Sequence, residues 1–127
     1  MATRHDTWRG MHWIRSEKRL AILVRDRGIC LWCNRRPKKL TLDHLIPHCE
    51  GGSNQHTNLV TACLFCNSAR GAKSVASFAA EHGDKAQAIL ARIRETIARP
   101  INVKTAKLAI TRAGGFVAAC QESLQLV

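Results

Sequence analysis

The apolar positions of the early chain recur at the spacing of a helix. Leu20, Leu23 and Val24 fall on one side of a helix predicted over residues 17–27, with Lys and Arg on its other faces. Ser16 stands directly before this stretch and is expected to cap its N-terminus. The pattern therefore predicts one amphipathic helix ahead of the first cysteine.

A different periodicity follows, in two short runs. Leu40–His44 alternates apolar and polar side chains, which is typical of a half-buried strand, and residues 59–62 are a second candidate strand. Pro47 ends the first run, and the Gly-Gly-Ser-Asn sequence at 51–54 indicates a loop. Two short strands joined by a long loop are therefore expected.

Helical spacing returns after the second strand and continues to the end of the chain. The predicted helices run from near Cys63 to about Lys73, from Ser74 to Glu81, from Asp84 to a stop at Pro100, from Asn102 to Gly114, and from Phe116 to Leu126. Ser74, Asp84 and Asn102 are expected to cap three of them. Several helices beside two strands indicate the α+β class.

The length of 127 residues suits one compact domain with an appendage. Its predicted divisions are a basic N-terminal arm at 1–15, a core at 16–75, and a helical C-terminal extension at 76–127 that packs on the core. The extension also offers a surface for a protein partner or for self-association.

The formal net charge is +11, from 20 basic and 9 acidic side chains. The first 73 residues hold 13 of the basic and 5 of the acidic ones, so the positive field is concentrated there. Such a field attracts polyanions, nucleic acid above all, although basicity can also serve solubility alone.

The chain has no apolar stretch long enough to span a bilayer and no apolar h-region at its start, so neither a transmembrane helix nor a signal peptide is expected. A reducing, cytoplasmic location follows as an expectation. Six cysteines in such a compartment are metal ligands or free thiols more often than disulfides.

Four cysteines form two Cys-x-x-Cys pairs, Cys30/Cys33 and Cys63/Cys66, with 29 residues between the pairs. Each pair can hold one edge of a tetrahedron, and four thiolates suit structural zinc, leaving no open position for catalysis. A redox pair and an iron–sulfur cluster are the alternatives, but a redox pair typically occurs singly near a βαβ pattern, which is absent from this sequence. Cys49 lies outside the spacing, as does the remaining cysteine near the C-terminus.

The segment between and just after these pairs carries an ordered set of short motifs: Asp43-His44-Leu45-Ile46-Pro47, Gly51-Gly52-Ser53-Asn54, Asn58-Leu59, and Cys63-Leu64-Phe65-Cys66-Asn67 with Arg70 three residues on. Each motif alone is weak, but their order and spacing together resemble the zinc-bearing branch of the HNH endonuclease family. The resemblance covers about residues 20–75.

The resemblance implies a ββα-metal fold, in which two antiparallel strands and a helix meet at a metal site. It makes His44 the general base at the end of the first strand, with Asp43 and Asn67 as ligands of a catalytic divalent metal. It makes Asn58 a supporting residue that orients the loop and the base. Asn67 stands where the family name has histidine, and an amide oxygen suits a hard ion such as Mg²⁺ or Mn²⁺.

The chemistry of these residues agrees with hydrolysis of a phosphodiester bond in DNA. A histidine accepts a proton near neutral pH, and a hard-metal site stabilises charge on phosphate oxygens. Adjacent strand residues point to opposite faces, so Asp43 and His44 serve one site only if the backbone bends there. Arg70, one helical turn from Asn67, is expected to hold the scissile phosphate. The competing interpretation is a zinc module that binds nucleic acid without cutting it.

Overall fold

The computed structural model describes residues 14–37 and 39–124. Within them the helices and strands are α1 (Ser16–Arg25), β1 (Leu40–His44), β2 (Leu59–Cys63), α2 (Leu64–Arg70), α3 (Val75–Ala80), α4 (Ala86–Ile97), α5 (Val103–Ala113) and α6 (Phe116–Leu124). Short 3₁₀ turns occupy His48–Glu50, His56–Asn58 and Gly83–Lys85. The α+β class predicted from the sequence is confirmed. The predicted N-terminal arm falls almost wholly outside the described residues.

The two strands pair antiparallel, with Leu40 opposite Cys63 and His44 opposite Leu59. β1 has the bounds that its alternating pattern predicts, and β2 is one residue longer than predicted. An isolated two-stranded sheet is marginally stable in water, so both of its faces need cover. The helices supply it, and the hairpin lies between two apolar clusters.

The first cluster joins one face of the hairpin to helices from both ends of the chain. Leu42 and Leu59 from the strands pack with Leu20 and Ile22 of α1. α5 and α6 complete it through the buried side chains Ala106, Ala119, Cys120 and Leu124. The C-terminal helices therefore cover α1 and one side of the sheet.

The second cluster contains the cysteine-rich turns. Val60 and Ala62 of β2 pack with Trp32, and α3 and α4 close the cluster through Phe78, Ala79, Ile89 and Ile93. Trp32 and Phe78 meet edge to face with ring centroids 4.9 Å apart, a favourable aromatic geometry. This cluster fixes the side of the hairpin that faces α2.

A buried polar pair connects α1 to β2. Arg25 donates to Asp26 Oδ1 at 2.6 Å and to the main-chain oxygens of His56 and Leu59 at 2.9 and 2.6 Å. Asp26 Oδ2 in turn accepts from the backbone N–H of Thr61 at 2.8 Å. The pair satisfies main-chain groups on the hairpin that would otherwise be buried without partners.

The helix ends agree with the sequence at some positions and differ at others. Ser74 and Asn102 cap α3 and α5 through their side-chain oxygens, as predicted. Ser16 is instead inside α1, whose cap is Arg15, and Asp84 lies in a 3₁₀ turn before α4. Val24, predicted on the apolar side of α1, is exposed. The buried apolar residues of the helix are instead Leu20, Ala21, Ile22 and Leu23, which are consecutive and therefore surround most of its axis, so α1 is covered on more than one side.

None of the helices in the described part of the chain is both long and apolar enough to cross a membrane.

Candidate functional site

The sulfur atoms of Cys30, Cys33, Cys63 and Cys66 all lie within 4.8 Å of one another. Backbone hydrogen bonds shape both turns: Asn34 N–H donates to the oxygen of Cys30 at 2.8 Å, and Cys66 N–H donates to Cys63 Sγ at 3.3 Å. The cluster fits a structural metal ion, and four converging sulfurs without an oxygen or nitrogen donor are typical of zinc.

Burial affects the protonation of these thiols. It raises the pKa of Cys30 to about 11 and raises the pKa of Cys66 further. At Cys63 burial also acts to raise the pKa, but hydrogen bonds from the backbone N–H of Cys66 and from the neighbouring thiols lower it overall. A metal that binds here displaces thiol protons, so its affinity depends on pH.

His44 ends β1, and its ring is held by a residue of the following loop. Nε2 of His44 lies 2.7 Å from Oδ1 of Asn54. Because an amide oxygen only accepts, this contact puts the ring hydrogen on Nε2 and leaves the lone pair on Nδ1. Asn54 is not among the site residues predicted from the sequence, since the Gly-Gly-Ser-Asn run predicts a loop but not which side chain turns toward the histidine.

The loop that carries Asn54 is itself fixed at several points. Asn58 is buried, with Nδ2 donating to the oxygens of Ser53 at 2.8 Å and Ile46 at 3.1 Å, and with Oδ1 accepting from Ile46 N–H at 2.9 Å. Lys18 of α1 donates to the main-chain oxygen of Asn54. Asn58 therefore contacts the loop, while the contact with the His44 ring comes from Asn54.

Close backbone packing also fixes this loop at Gly52. A Cβ atom at this position would lie 1.7 Å from the main-chain oxygen of Ile46. The Gly52 N–H donates to the oxygen of Pro47 at 2.9 Å. The loop therefore folds back against the end of β1 at a distance that only glycine permits.

Asp43 points away from His44 and is buried, with 4% of its surface exposed. Oδ1 accepts from Arg70 Nη1 at 2.5 Å, and Oδ2 accepts from Trp32 Nε1 at 2.8 Å. Burial raises the pKa of Asp43, and the guanidinium of Arg70 and the indole N–H of Trp32 act in the opposite direction. Trp32, inside the first Cys-x-x-Cys turn, thus links the cysteine cluster to the carboxylate, a contact for which the sequence holds no local signal.

Arg70 occupies a different place from the one expected of it. Its side chain is 2% exposed, and it donates to the main-chain oxygens of His44 at 2.9 Å, Leu45 at 2.7 Å and Lys73 at 3.0 Å besides Asp43. The expectation that it holds the scissile phosphate does not agree with this arrangement, because the side chain is buried and four of its five N–H groups donate to oxygens of the protein. It instead binds α2 to the end of β1.

Asn67 lies on the same side of the hairpin as Asp43. Its Nδ2 donates to Thr41 Oγ1 at 3.0 Å, and Thr41 and Asp43 share one face of β1. The amide therefore turns its nitrogen to the strand, and Oδ1 makes no hydrogen bond within the described residues. The structure thus brings Asp43, Asn67 and Arg70 to one face, while the His44 side chain contacts the loop and makes no hydrogen bond to Asp43 or Asn67.

The Asp43–Arg70 pair gives a first prediction. Arg70→Met is expected to lower the free energy of unfolding by about 3–5 kcal/mol, because it leaves a carboxylate buried without its cation. Urea denaturation followed by circular dichroism measures this loss. Lys73→Met is the matched control, since Lys73 pairs with Glu81 at 2.8 Å on the exposed surface and should cost less than about 1 kcal/mol. Equal losses in the two variants would contradict the structural role of the buried pair.

Comparison with known proteins agrees with this geometry. Residues 30–82 match the family model of the HNH endonucleases, a segment that includes both cysteine pairs, the hairpin and α2. This segment is therefore similar to the HNH endonucleases, a family of nuclease-type domains that act on nucleic acid. Comparisons with curated proteins and with solved structures gave no match.

Proposed function

We propose that the chain is a metal-dependent endonuclease that hydrolyses phosphodiester bonds of DNA, with His44 as the general base. The observation that carries the proposal is the fixed ring of His44, whose Nε2 lies 2.7 Å from Asn54 Oδ1 at the end of β1, inside the segment that matches the family. A ring held through one nitrogen presents the other as a proton acceptor.

In this proposal Nδ1 of His44 takes a proton from the attacking water. Asn54 is a positioning residue, because its oxygen keeps the hydrogen on Nε2 and stabilises the imidazolium that forms. Asn58 and Lys18 do not contact the ring in this scheme but hold the loop that presents Asn54. Proton transfer by a positioned side chain contributes typically about 10²–10⁴-fold in rate.

Asp43 and Asn67 are the residues that would hold a catalytic divalent cation. Both offer oxygen, the donor that Mg²⁺ and Mn²⁺ prefer, and both lie on the α2 side of β1. Asn67 Oδ1 makes no hydrogen bond within the described residues, and each oxygen of Asp43 keeps a second lone pair beside the one its hydrogen bond uses. When bound, the ion supplies Lewis acidity for the charge that develops on the phosphate oxygens.

Arg70 is a positioning residue in this scheme. Its guanidinium contacts the carboxylate of Asp43 and the main-chain oxygen of His44 together, at 2.5 and 2.9 Å. It therefore fixes the relative position of the two adjacent residues from which the base and the metal ligand come. Phosphate binding falls to exposed basic side chains, in keeping with the net charge of +11.

A non-catalytic nucleic-acid-binding module is the second candidate, and one observation favours it. Both oxygens of Asp43 already accept hydrogen bonds, from Arg70 and from Trp32, which is the pattern of a structural carboxylate. In that case the hairpin and the metal-bound turns serve only as a scaffold for a basic surface. The two candidates differ in whether the chain cuts DNA.

Metal-dependent cleavage distinguishes them. Protein loaded with one zinc per chain is incubated with supercoiled plasmid without added divalent metal, and then with Mg²⁺ or Mn²⁺. Nicked or linear plasmid is expected only after the addition, because the oxygen ligands need a hard cation to act. Leaving out the metal is a cleaner control than EDTA, which competes for the zinc as well. If the protein binds the plasmid but leaves it intact with either ion, the non-catalytic module is favoured.

A further inference from the structure

The turn between Cys63 and Cys66 exposes two large apolar side chains. Phe65 is 80% exposed and Leu64 is 52% exposed. Single exposed apolar residues are common, but an aromatic ring so open to water next to a second apolar side chain needs a reason. Within the described residues nothing packs over the Phe65 ring in an aromatic or cation–π contact.

The backbone that carries Phe65 is rigid. The flanking cysteines are both buried members of the sulfur cluster, and Cys66 N–H donates to Cys63 Sγ. On the other side, Leu64 N–H donates to the main-chain oxygen of Lys39 at 3.2 Å. A ring on a fixed base loses little conformational entropy when it binds a partner.

The chain segments that flank this turn are basic. No acidic residue occurs between residues 27 and 42 or between residues 51 and 80, and Asp43 is buried in its ion pair. Lys39, whose main-chain oxygen accepts from Leu64 N–H, is exposed, as is Arg35 of the same loop. An exposed ring whose flanking segments carry exposed basic side chains and no exposed carboxylate suits a partner with flat bases and negative phosphates. A second copy of the chain fits poorly, because each copy carries a net charge of +11.

We propose that Phe65 stacks on a base of the bound nucleic acid, and that Lys39 contacts the adjoining backbone. That the nucleic acid is DNA rests on the proposed function. The proposal adds that the chain favours DNA with an unstacked base over regular duplex, since a ring can stack only where a base face is open. Side chains two positions apart in a helix point to different sides, so the stacked base lies on a different side of α2 from Asn67, which faces β1.

The test measures binding alone. Zinc-loaded protein is titrated into a short duplex that carries 2-aminopurine in a single-base bulge, and into the fully paired duplex of the same sequence. No Mg²⁺ or Mn²⁺ is added, and gels confirm that the DNA stays intact. Phe65→Ala is expected to weaken binding to the bulged duplex about tenfold and to abolish the fluorescence quenching that stacking causes. Phe65→Trp should retain both. Val117→Ala, which truncates an apolar side chain of α6 that is 69% exposed, should change neither.

The salt dependence of DNA binding distinguishes the stacking contact of Phe65 from the phosphate contact of Lys39. Phe65→Ala should leave the slope of log Kd against log salt unchanged, whereas Lys39→Ala should reduce it by about one. Unchanged affinity and quenching in Phe65→Ala would overturn the proposal. So would light scattering that shows a dimer which Phe65→Ala dissociates, because the ring would then serve a second copy. A chain that binds as expected but never cuts plasmid refutes the proposed catalysis and leaves this contact standing.

Discussion

His44→Ala is expected to reduce the cleavage of supercoiled plasmid about 10²–10⁴-fold, down to background in an ordinary assay. The variant loses the proton acceptor but no buried contact of importance, since the His44 ring is half-buried and, within residues 14–37 and 39–124, its hydrogen bond is with Asn54. The measurement is the initial rate of nicking with Mg²⁺, on protein of known zinc content.

Two further variants show whether a loss of cleavage reflects chemistry. The cleavage rate of Asn54→Ala should lie between the rates of the parent and of His44→Ala, because the base remains but its ring is no longer held. His56→Ala changes a histidine of the same loop whose main-chain oxygen, and not its ring, is used by Arg25, so cleavage should be retained. If His44→Ala nicks plasmid as fast as the parent, with unchanged DNA binding, His44 is not the base.

Cys66→Ser is expected to release the bound zinc and to abolish cooperative unfolding of the part of the chain around the second apolar cluster. Structural zinc contributes about 10–16 kcal/mol in small zinc domains, while a whole domain is stable by only about 5–15 kcal/mol. Val60, Trp32 and Phe78 pack against the cysteine turns, so their cluster loses its centre. Zinc stoichiometry by mass spectrometry and thermal unfolding by circular dichroism measure the two effects.

Cys49→Ser is the matched control for this change. Cys49 is exposed and lies in the loop, outside the sulfur cluster, so its variant should keep one zinc and the parental melting temperature. A Cys66→Ser protein that still holds zinc and melts within about 2 °C of the parent would show that the cluster does not stabilise the fold.

The elements with a local signal were predictable from the sequence. β1 alternates apolar and polar side chains from Leu40 to Asp43, and Ser74 and Asn102 cap helices because each side chain needs only the backbone three residues on. The cysteine cluster was predictable as well, since a tetrahedral ion imposes a fixed spacing on its ligands. These features depend on near neighbours or on a covalent geometry known in advance.

The contacts that orient the candidate site were not predictable in this way. Trp32 reaches Asp43 across eleven positions, and Arg70 reaches it across twenty-seven. Arg70 was expected at the phosphate because its charge is visible in the sequence, while its burial is not. Asn54 and Asn58 stand in one loop with the same side chain, and only the folded path of that loop shows which of them meets His44.

The two apolar clusters on opposite faces of one small hairpin bear on how the protein can be shortened. A fragment trimmed to the matched segment, residues 30–82, would keep the four clustered sulfurs, both strands and α2, but it would lose Lys18, which holds the loop that carries Asn54. It would also remove α1, α5 and α6 from Leu42 and Leu59, and α4 from the second cluster, so both sides of the sheet would be exposed to water. A shortened version of this chain therefore needs substitute apolar cover on both sides, supplied by a fusion partner, or polar redesign of the uncovered strand positions.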